Sequence, residues 1–298
     1  MTNNQWKARS KVLGAAFLAT LFIVPFKYAA RDGNGAGAAL GLLLSVSLLL
    51  LPWGGRRLLL ASKDVRKSTL SLGWKLGLCA AFGNMAQGFG FAVLHPGLAS
   101  VFVQMGMVFV AILSVVWLKE KLSVHLLAAV ILCVTGIVFS QRAVLTGGVK
   151  INWGVAWAIG AALGFALMDL LSRKHANSVD LVACNWIRSL WGTLILACLP
   201  GAIPQLLNFT PMQWGAVFLA GFIGPGLARQ LLLSAARNLP AVESSLIQQF
   251  RAVMVLPLGS VAFGVWPTSD EWVGAAFIVT GLFVPPLIMF IKSRSKQR

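Results

Sequence analysis

Acidic side chains are scarce in this chain: 8 of its 298 residues are Asp or Glu, against 25 Lys and Arg, and all charged residues together make up 11%. A soluble domain carries ~25% charged residues, so a fully water-exposed surface is excluded. Cysteine is limited to Cys79, Cys133, Cys184 and Cys198, each inside an apolar segment with no close pair. They read as small hydrophobes, not as a disulfide framework or a metal site. The three histidines, His95, His125 and His175, are scattered at segment edges and form no metal constellation. No phosphate-binding loop occurs, so ATP hydrolysis is not the drive. No H-E-x-x-H, no G-x-S-x-G and no paired membrane-depth aspartates are present, which counts against an enzyme embedded in the bilayer. No cofactor is expected.

What is abundant is apolar: 58% of residues are hydrophobic, and mean hydropathy is +0.81. The apolar residues come in blocks of roughly 18 to 25, enough for a helix to cross a ~30 Å hydrocarbon layer. The pattern predicts an all-α polytopic membrane protein with ten transmembrane helices. They fall near 12–30, 35–53, 70–92, 97–118, 123–141, 152–172, 179–199, 212–236, 240–265 and 270–292. Pro52-Trp53-Gly54-Gly55 is expected to end the second. His95-Pro96-Gly97 and Asn238-Leu239-Pro240 separate later pairs, and Pro200 and Pro204 bracket the exit of the seventh. The basic N-terminus, MTNNQWKARSK, precedes an apolar stretch too long for a signal-peptide core, so 12–30 is read as an uncleaved first span.

The formal charge of +17 has a membrane reading before a nucleic-acid one, because the basic residues sit in short connections and at the chain ends. With a cytoplasmic N-terminus, Lys7, Arg9, Lys11, Arg56, Arg57, Lys63, Arg66, Lys67, Lys119, Lys121, Arg173, Lys174, Arg237, Lys292, Arg294, Lys296 and Arg298 all lie inside. Only Lys27, Arg31, Arg142 and Lys150 lie outside. The positive-inside rule therefore places both termini in the cytoplasm, in a bacterial inner membrane. Lys75, Arg188, Arg229 and Arg251 fall within spans. Lys75 is near enough to an end to snorkel, whereas an arginine at bilayer depth costs at least ~2.5–3.5 kcal/mol.

Shifting the second half back by 145 positions aligns it with the first. VTG at 134–136 meets VTG at 279–281, Ser100 meets Ser245, Gln104 meets Gln249 and Asn84 meets Arg229, with about ten identities over 91–138. Residues 1–145 thus read as one five-helix repeat and 146–298 as a second. An odd number of spans per unit makes the second copy enter from the opposite side, the inverted repeat of secondary transporters. Segment 91–138, with Leu118-Lys119-Glu120-Lys121-Leu122-Ser123 and a helix closing on Thr135-Gly136, resembles the EamA-type members of the drug/metabolite transporter superfamily. Val265 departs from that pattern where a glutamate is common. The resemblance implies ten spans, transport of a small solute, and a central cavity lined by the third, fourth, eighth and ninth helices.

Polar residues lie on those helices. In LIQQFRAVMVLP, 246–257, Gln248 and Arg251 share a helical face with Ser244, and Gln249 lies beside Ser245. Asn84 with Gln87, Ser100 with Gln104, and Arg229 with Gln230 occupy the others. Asn84, Ser100, Gln104, Arg229, Ser245, Gln248, Gln249 and Arg251 are therefore the candidate substrate-binding residues, an arginine fork suiting a carboxylate or phosphate. The competing role is structural, with Arg229 and Arg251 paired to Asp169 or Glu243. Those two carboxylates are equally the candidates for coupling protons to transport. Arg188 has a contact with substrate or packing against Trp186 and Trp191 open to it. The expected function is a secondary transporter, an exporter of a small polar metabolite such as an amino acid or other carboxylate-bearing solute, working by alternating access. The alternatives are a flippase for a lipid-linked sugar or headgroup, kept open by the cluster Arg56, Arg57, Lys63, Arg66 and Lys67, and a membrane-embedded enzyme. Expected partners are the small-molecule solute and the bilayer, with no nucleic acid.

Overall fold

The computed structural model describes residues 3–30, 34–93, 104–120, 123–140, 142, 153–263, 266 and 268–295, with backbone alone at 3, 88, 90–93, 255, 259, 260, 262, 263 and 285–295. Every regular element among these residues is helical. A chain this apolar has little alternative in lipid, where each backbone N–H and C=O must find its partner within the fold.

The first predicted segment is α1 (Asn3–Leu21) and α2 (Ile23–Ala29), which run on through Phe22. Then come α3 (Gly35–Leu60), α4 (Lys63–Val93), α5 (Gly106–Leu118), α6 (Val124–Ser140) and α7 (Trp153–His175). A 3₁₀ turn (Ala176–Ser178) leads to α8 (Leu181–Ala197) and the short α9 (Ala202–Leu207). The rest is α10 (Pro211–Gly221), a π-helical segment (Phe222–Ala228), α11 (Arg229–Ala235), α12 (Ala241–Gln248), α13 (Phe250–Phe263) and α14 (Ser269–Ser295). Among the described residues, four stretches are long and apolar enough to cross a bilayer: Asn4–Ala29, Gly35–Leu60, Trp153–Ser178 and Pro211–Ala235. Gly106–Leu118, Val124–Ser140 and Leu181–Ala197 are shorter apolar helices.

Three boundaries differ from the expectation. The Pro52–Gly55 stop does not stop α3, which continues to Leu60. A proline removes only one helical hydrogen bond, and Gly54 is pressed so close to Trp186 that an added Cβ would lie 2.5 Å from that side chain. The expected helix at 212–236 widens into a π-turn over Phe222–Ala228, and that at 240–265 breaks at Gln249. There Gln249 N bonds Leu246 O (2.9 Å) and Ala252 N bonds Gln249 O (2.9 Å), a 3₁₀-type tightening.

Helix ends follow their side chains. Asp180 caps α8, its Oδ1 accepting from Val182 N and Ala183 N at 3.0 and 2.9 Å. Thr210 and Gln213 form a capping box ahead of α10, with Pro211 in its first turn. Thr268 and Glu271 exchange the same pair of bonds at α14.

Packing relies on small residues. α6 and α14 run antiparallel: Gly136 faces Gly274 and Ile278, while Gly281 faces Ala129 and Cys133. A Cβ on Gly136 would come within 2.5 Å of Gly274 O, so the two backbones touch. α4 lies between α7 and α8, meeting them through Gly83 against Phe165 and Gly77 against Trp191. Gly136→Val is expected to lower the melting temperature of the purified protein steeply, because overpacking against backbone costs up to about 3 kcal/mol or more. Thermal denaturation in detergent is the check, and an unchanged melting temperature would mean that α6 and α14 are not held this close.

Arg9 on α1, Glu243 on α12, the Lys119–Glu120 exit of α5, Arg173 on α7, Arg57 on α3 and Asp180 before α8 meet at one end of the bundle. α6 begins there, and the antiparallel α14 returns there. We refer to it as the basic end.

Candidate functional site

The π-segment organises the polar interior. Gly221, Gly224, Pro225 and Gly226 make a weak stretch of helix: three residues lack side chains and the fourth has no N–H. A Cβ at Gly224 would collide with Phe22, at 2.9 Å, and one at Gly221 with Ser45, also at 2.9 Å. In the widened turn Arg229 N reaches back to Gly224 O. The carbonyls of Pro225 and Gly226 accept side-chain donors from α8 instead. Asn185 Nδ2 lies 3.2 and 3.3 Å from them, and Arg188 Nη2 is 3.1 Å from Pro225 O.

Arg188 is 2% exposed and has no carboxylate within ion-pair distance among the described residues. Its Nε donates to Asn185 Oδ1 (2.9 Å) and its Nη2 also to Ser189 Oγ (3.2 Å). Carbonyl and amide dipoles, not a counter-ion, hold this cation in place. It fastens the π-turn to α8.

The π-turn sets the position of Arg229 at the start of α11, 5% exposed. Its Nη1 donates to Asp169 Oδ1 at 2.6 Å, and its Nη2 to Ser172 Oγ (2.6 Å) and Met168 O (3.1 Å). This is a charge-assisted contact between α7 and α11 with neutral acceptors alongside. Gln248 Nε2 approaches the other carboxylate oxygen, Asp169 Oδ2, at 3.4 Å, and Ser244 O at the same distance. Arg251, a turn further on and past the break at Gln249, is half-buried. It forms no ion pair or hydrogen bond among the described residues, and Asp169 acts on it through its electrostatic field. The space between Asp169, Ser172, Arg229, Leu232 and Ser244 amounts to about 10 Å³, room for a single water.

The structure thus brings together four of the sequence candidates: Asp169, Arg229, Gln248 and Arg251. Ser245 and Gln249 are 5% and 4% exposed. Gln249 Oε1, Gln230 Oε1 and Arg229 Nε are buried without a partner among the described residues. Asn84 is turned to its own helix, its Nδ2 donating to Ala80 O at 2.7 Å. Gln104 is half-buried just ahead of α5. Ser100 lies outside the described residues. Glu243 meets neither membrane arginine as an ion pair; it takes Arg9 Nε at 2.5 Å. All four cysteines are free, and no metal-binding cluster occurs among the described residues.

Arg173 and Arg237, read from the sequence only as topology signals, and Glu120, part of the family resemblance, prove to be organised at the basic end. Arg173 Nε contacts Glu120 Oε1 at 3.2 Å, and its Nη1 donates to Ala236 O at 2.9 Å. Glu120 Oε2 accepts Ala241 N, at the start of α12, at 3.2 Å. Arg237 returns the tie, donating to Ala176 O and Val179 O at 3.0 and 3.1 Å. A glutamate isolated at the end of an apolar helix was the available signal, but its partners lie 53 and 121 positions away.

Comparison with known proteins follows the same lines. The model of the EamA-like transporter family matches twice, at residues 8–141 and 152–285. An uncharacterized transporter of Bacillus subtilis strain 168, YvbV, is 24% identical over 258 residues, spanning 84% of this chain and 73% of its own. A crystal structure superposes with a TM-score of 0.74 at 18% identity, covering 94% of this chain and 96% of that one. At that identity the likeness concerns the fold.

Proposed function

Because this chain belongs to the EamA-like transporter family, we propose that it is a secondary transporter that exports a small polar metabolite bearing a carboxylate, amino acids included, by alternating access. The observation that carries the substrate class is Arg251, half-buried beside an ion pair already closed on itself and left with no ion pair of its own among the described residues. A planar cation in that position suits a carboxylate.

The architecture in this reading is ten spans, with 1–145 and 146–298 as two inverted repeats. The paired family matches support it, as does the α6–α14 contact: Gly136 on Gly274 maps onto Gly281 on Ala129 when each residue moves by 145 positions. The basic end is cytoplasmic by the excess of Lys and Arg, in a bacterial inner membrane. The ties of Arg9, Glu120, Arg173 and Glu243 close that end, so the described state faces away from the cytoplasm. Admitting a solute requires α12 and α13 to part from α7 and α11, since the present gap has room for one water at most. In this reading Asp169 senses the solute and Glu243 latches the closed end. A proton on either would release its arginine, which is how a proton gradient would couple.

The experiment is uptake of labelled amino acids, organic anions and nucleosides into sealed proteoliposomes, with and without a proton gradient. Saturable movement of an anionic or zwitterionic solute is expected. Movement of neutral nucleosides alone would overturn the substrate class, and scrambling of a lipid probe without solute transport would favour a flippase.

A further inference from the structure

A second polar concavity lies at the basic end, away from the Asp169 site. It measures about 230 Å³ and lies between α4 and the turn after α7, lined by Lys67, Ser68, Ser71, Lys75, His175 and Ser178. Two lysines, a histidine and three serines line one space, and no carboxylate joins them. Neither lysine forms an ion pair or hydrogen bond among the described residues. Asp180, one turn of chain away, is committed elsewhere: Oδ1 caps α8 and Oδ2 meets Arg57 at 3.4 Å. Asp64, one turn before Lys67 on α4, forms no ion pair with it. The positive charge is therefore uncompensated, as in a site for an anion.

The surroundings identify which anion. Lys67, Ser71 and Lys75 stand at intervals of four on α4, and the same face continues with Trp74, Leu78 and Phe82. These three are 43%, 47% and 40% exposed, an apolar stripe facing outward. A ligand with a phosphate in the concavity and hydrocarbon along the stripe satisfies both parts. We propose that the concavity binds the phosphate headgroup of an anionic membrane phospholipid, with its acyl chains lying along Trp74, Leu78 and Phe82. Lysine ammoniums act on such a phosphate as point charges, and the serine hydroxyls donate to its oxygens. The orientation proposed above puts the site in the cytoplasmic leaflet, where anionic lipid meets basic pockets between helices. His175 and Ser178 lie where α7 passes to α8, so the lipid ties α4 to that junction and stabilises the folded protein.

The test is thermal denaturation of the purified protein in a neutral detergent, titrated with dioleoylphosphatidylglycerol, with dioleoylphosphatidylcholine, and with inorganic phosphate or glycerol phosphate. Phosphatidylglycerol is expected to raise the melting temperature by about 3–6 °C, phosphatidylcholine and the soluble phosphates to leave it unchanged. The rise is expected to vanish in Lys67→Gln/Lys75→Gln and to persist in Arg56→Gln. An equal response of the double variant and wild type overturns the site. A response to soluble phosphate that the double variant loses overturns the lipid assignment in favour of a free phosphate ligand. Should the double variant not fold, photo-crosslinking of wild type with a diazirine-bearing phosphatidylglycerol decides. Adducts on 67–82 support the proposal, and adducts confined to other segments overturn it.

Discussion

Asp169→Ala is expected to destabilise the protein by about 3 kcal/mol or more, a fall in melting temperature of roughly 6–12 °C. The pair it breaks is unequal: the Arg229 side chain is 6% exposed and that of Asp169 24%. Removing the carboxylate strands a cation that water hardly reaches, with only Ser172 Oγ and Met168 O as acceptors among the described residues. Both accept from Nη2, so Nη1 would join Nε in having no acceptor among the described residues. The penalty for an unpaired buried charge exceeds the net worth of the pair itself. Asp169→Ala/Arg229→Leu is therefore expected to recover much of the loss, because both charges leave together. Melting curves and inactivation half-lives of the two variants and of Arg229→Leu make a double-mutant cycle. If Asp169→Ala melts with the wild type, the contact is not a fixed part of the fold.

Arg251→Gln is expected to do the opposite: leave the melting temperature within about 2 °C and lower transport of the carboxylate-bearing solute about 10- to 100-fold. Arg251 has no protein ion pair to lose among the described residues, so stability has little to register. A charge-assisted hydrogen bond to the solute contributes ~1.5–3 kcal/mol, and each 1.4 kcal/mol is tenfold. Arg251→Lys should fall between, keeping the charge but not the fork. The readout is the initial rate of uptake at sub-saturating solute, alongside the melting temperature. Retained transport in Arg251→Gln moves the binding site to Asn84, Gln104 and Gln249. Lost folding makes Arg251 structural.

How much of this was legible beforehand differs by residue. The helical class follows from the length of the apolar blocks, and a doubling was readable in VTG at 134–136 and 279–281; the family model matches twice. The polar face of Gln248 was readable from helical spacing, and it does point to Asp169. The break at Gln249 was not readable, because no proline or glycine stands there and the tightening comes from local carbonyl pairing. A proline such as Pro225 favours a kink, but a proline alone does not say that the turn will widen or that Asn185 and Arg188 will take its carbonyls. Pro52 announced a stop that tertiary packing overrode through Gly54 and Trp186.

The sequence by itself determined the medium, the helices and which faces of them are polar, because burial in lipid demands long apolar helices and helical geometry sorts residues onto faces. The tertiary structure alone decided the partners. Arg229 and Arg251 each had Asp169 and Glu243 within plausible reach, yet one took Asp169, the other took neither as an ion pair, and Glu243 went to Arg9. Periodicity gives the angle and depth of a side chain on its own helix. Which neighbour stands opposite depends on where small residues let two backbones approach, as Gly136 and Gly274 or Gly77 and Trp191 do, and that is a property of the packed bundle.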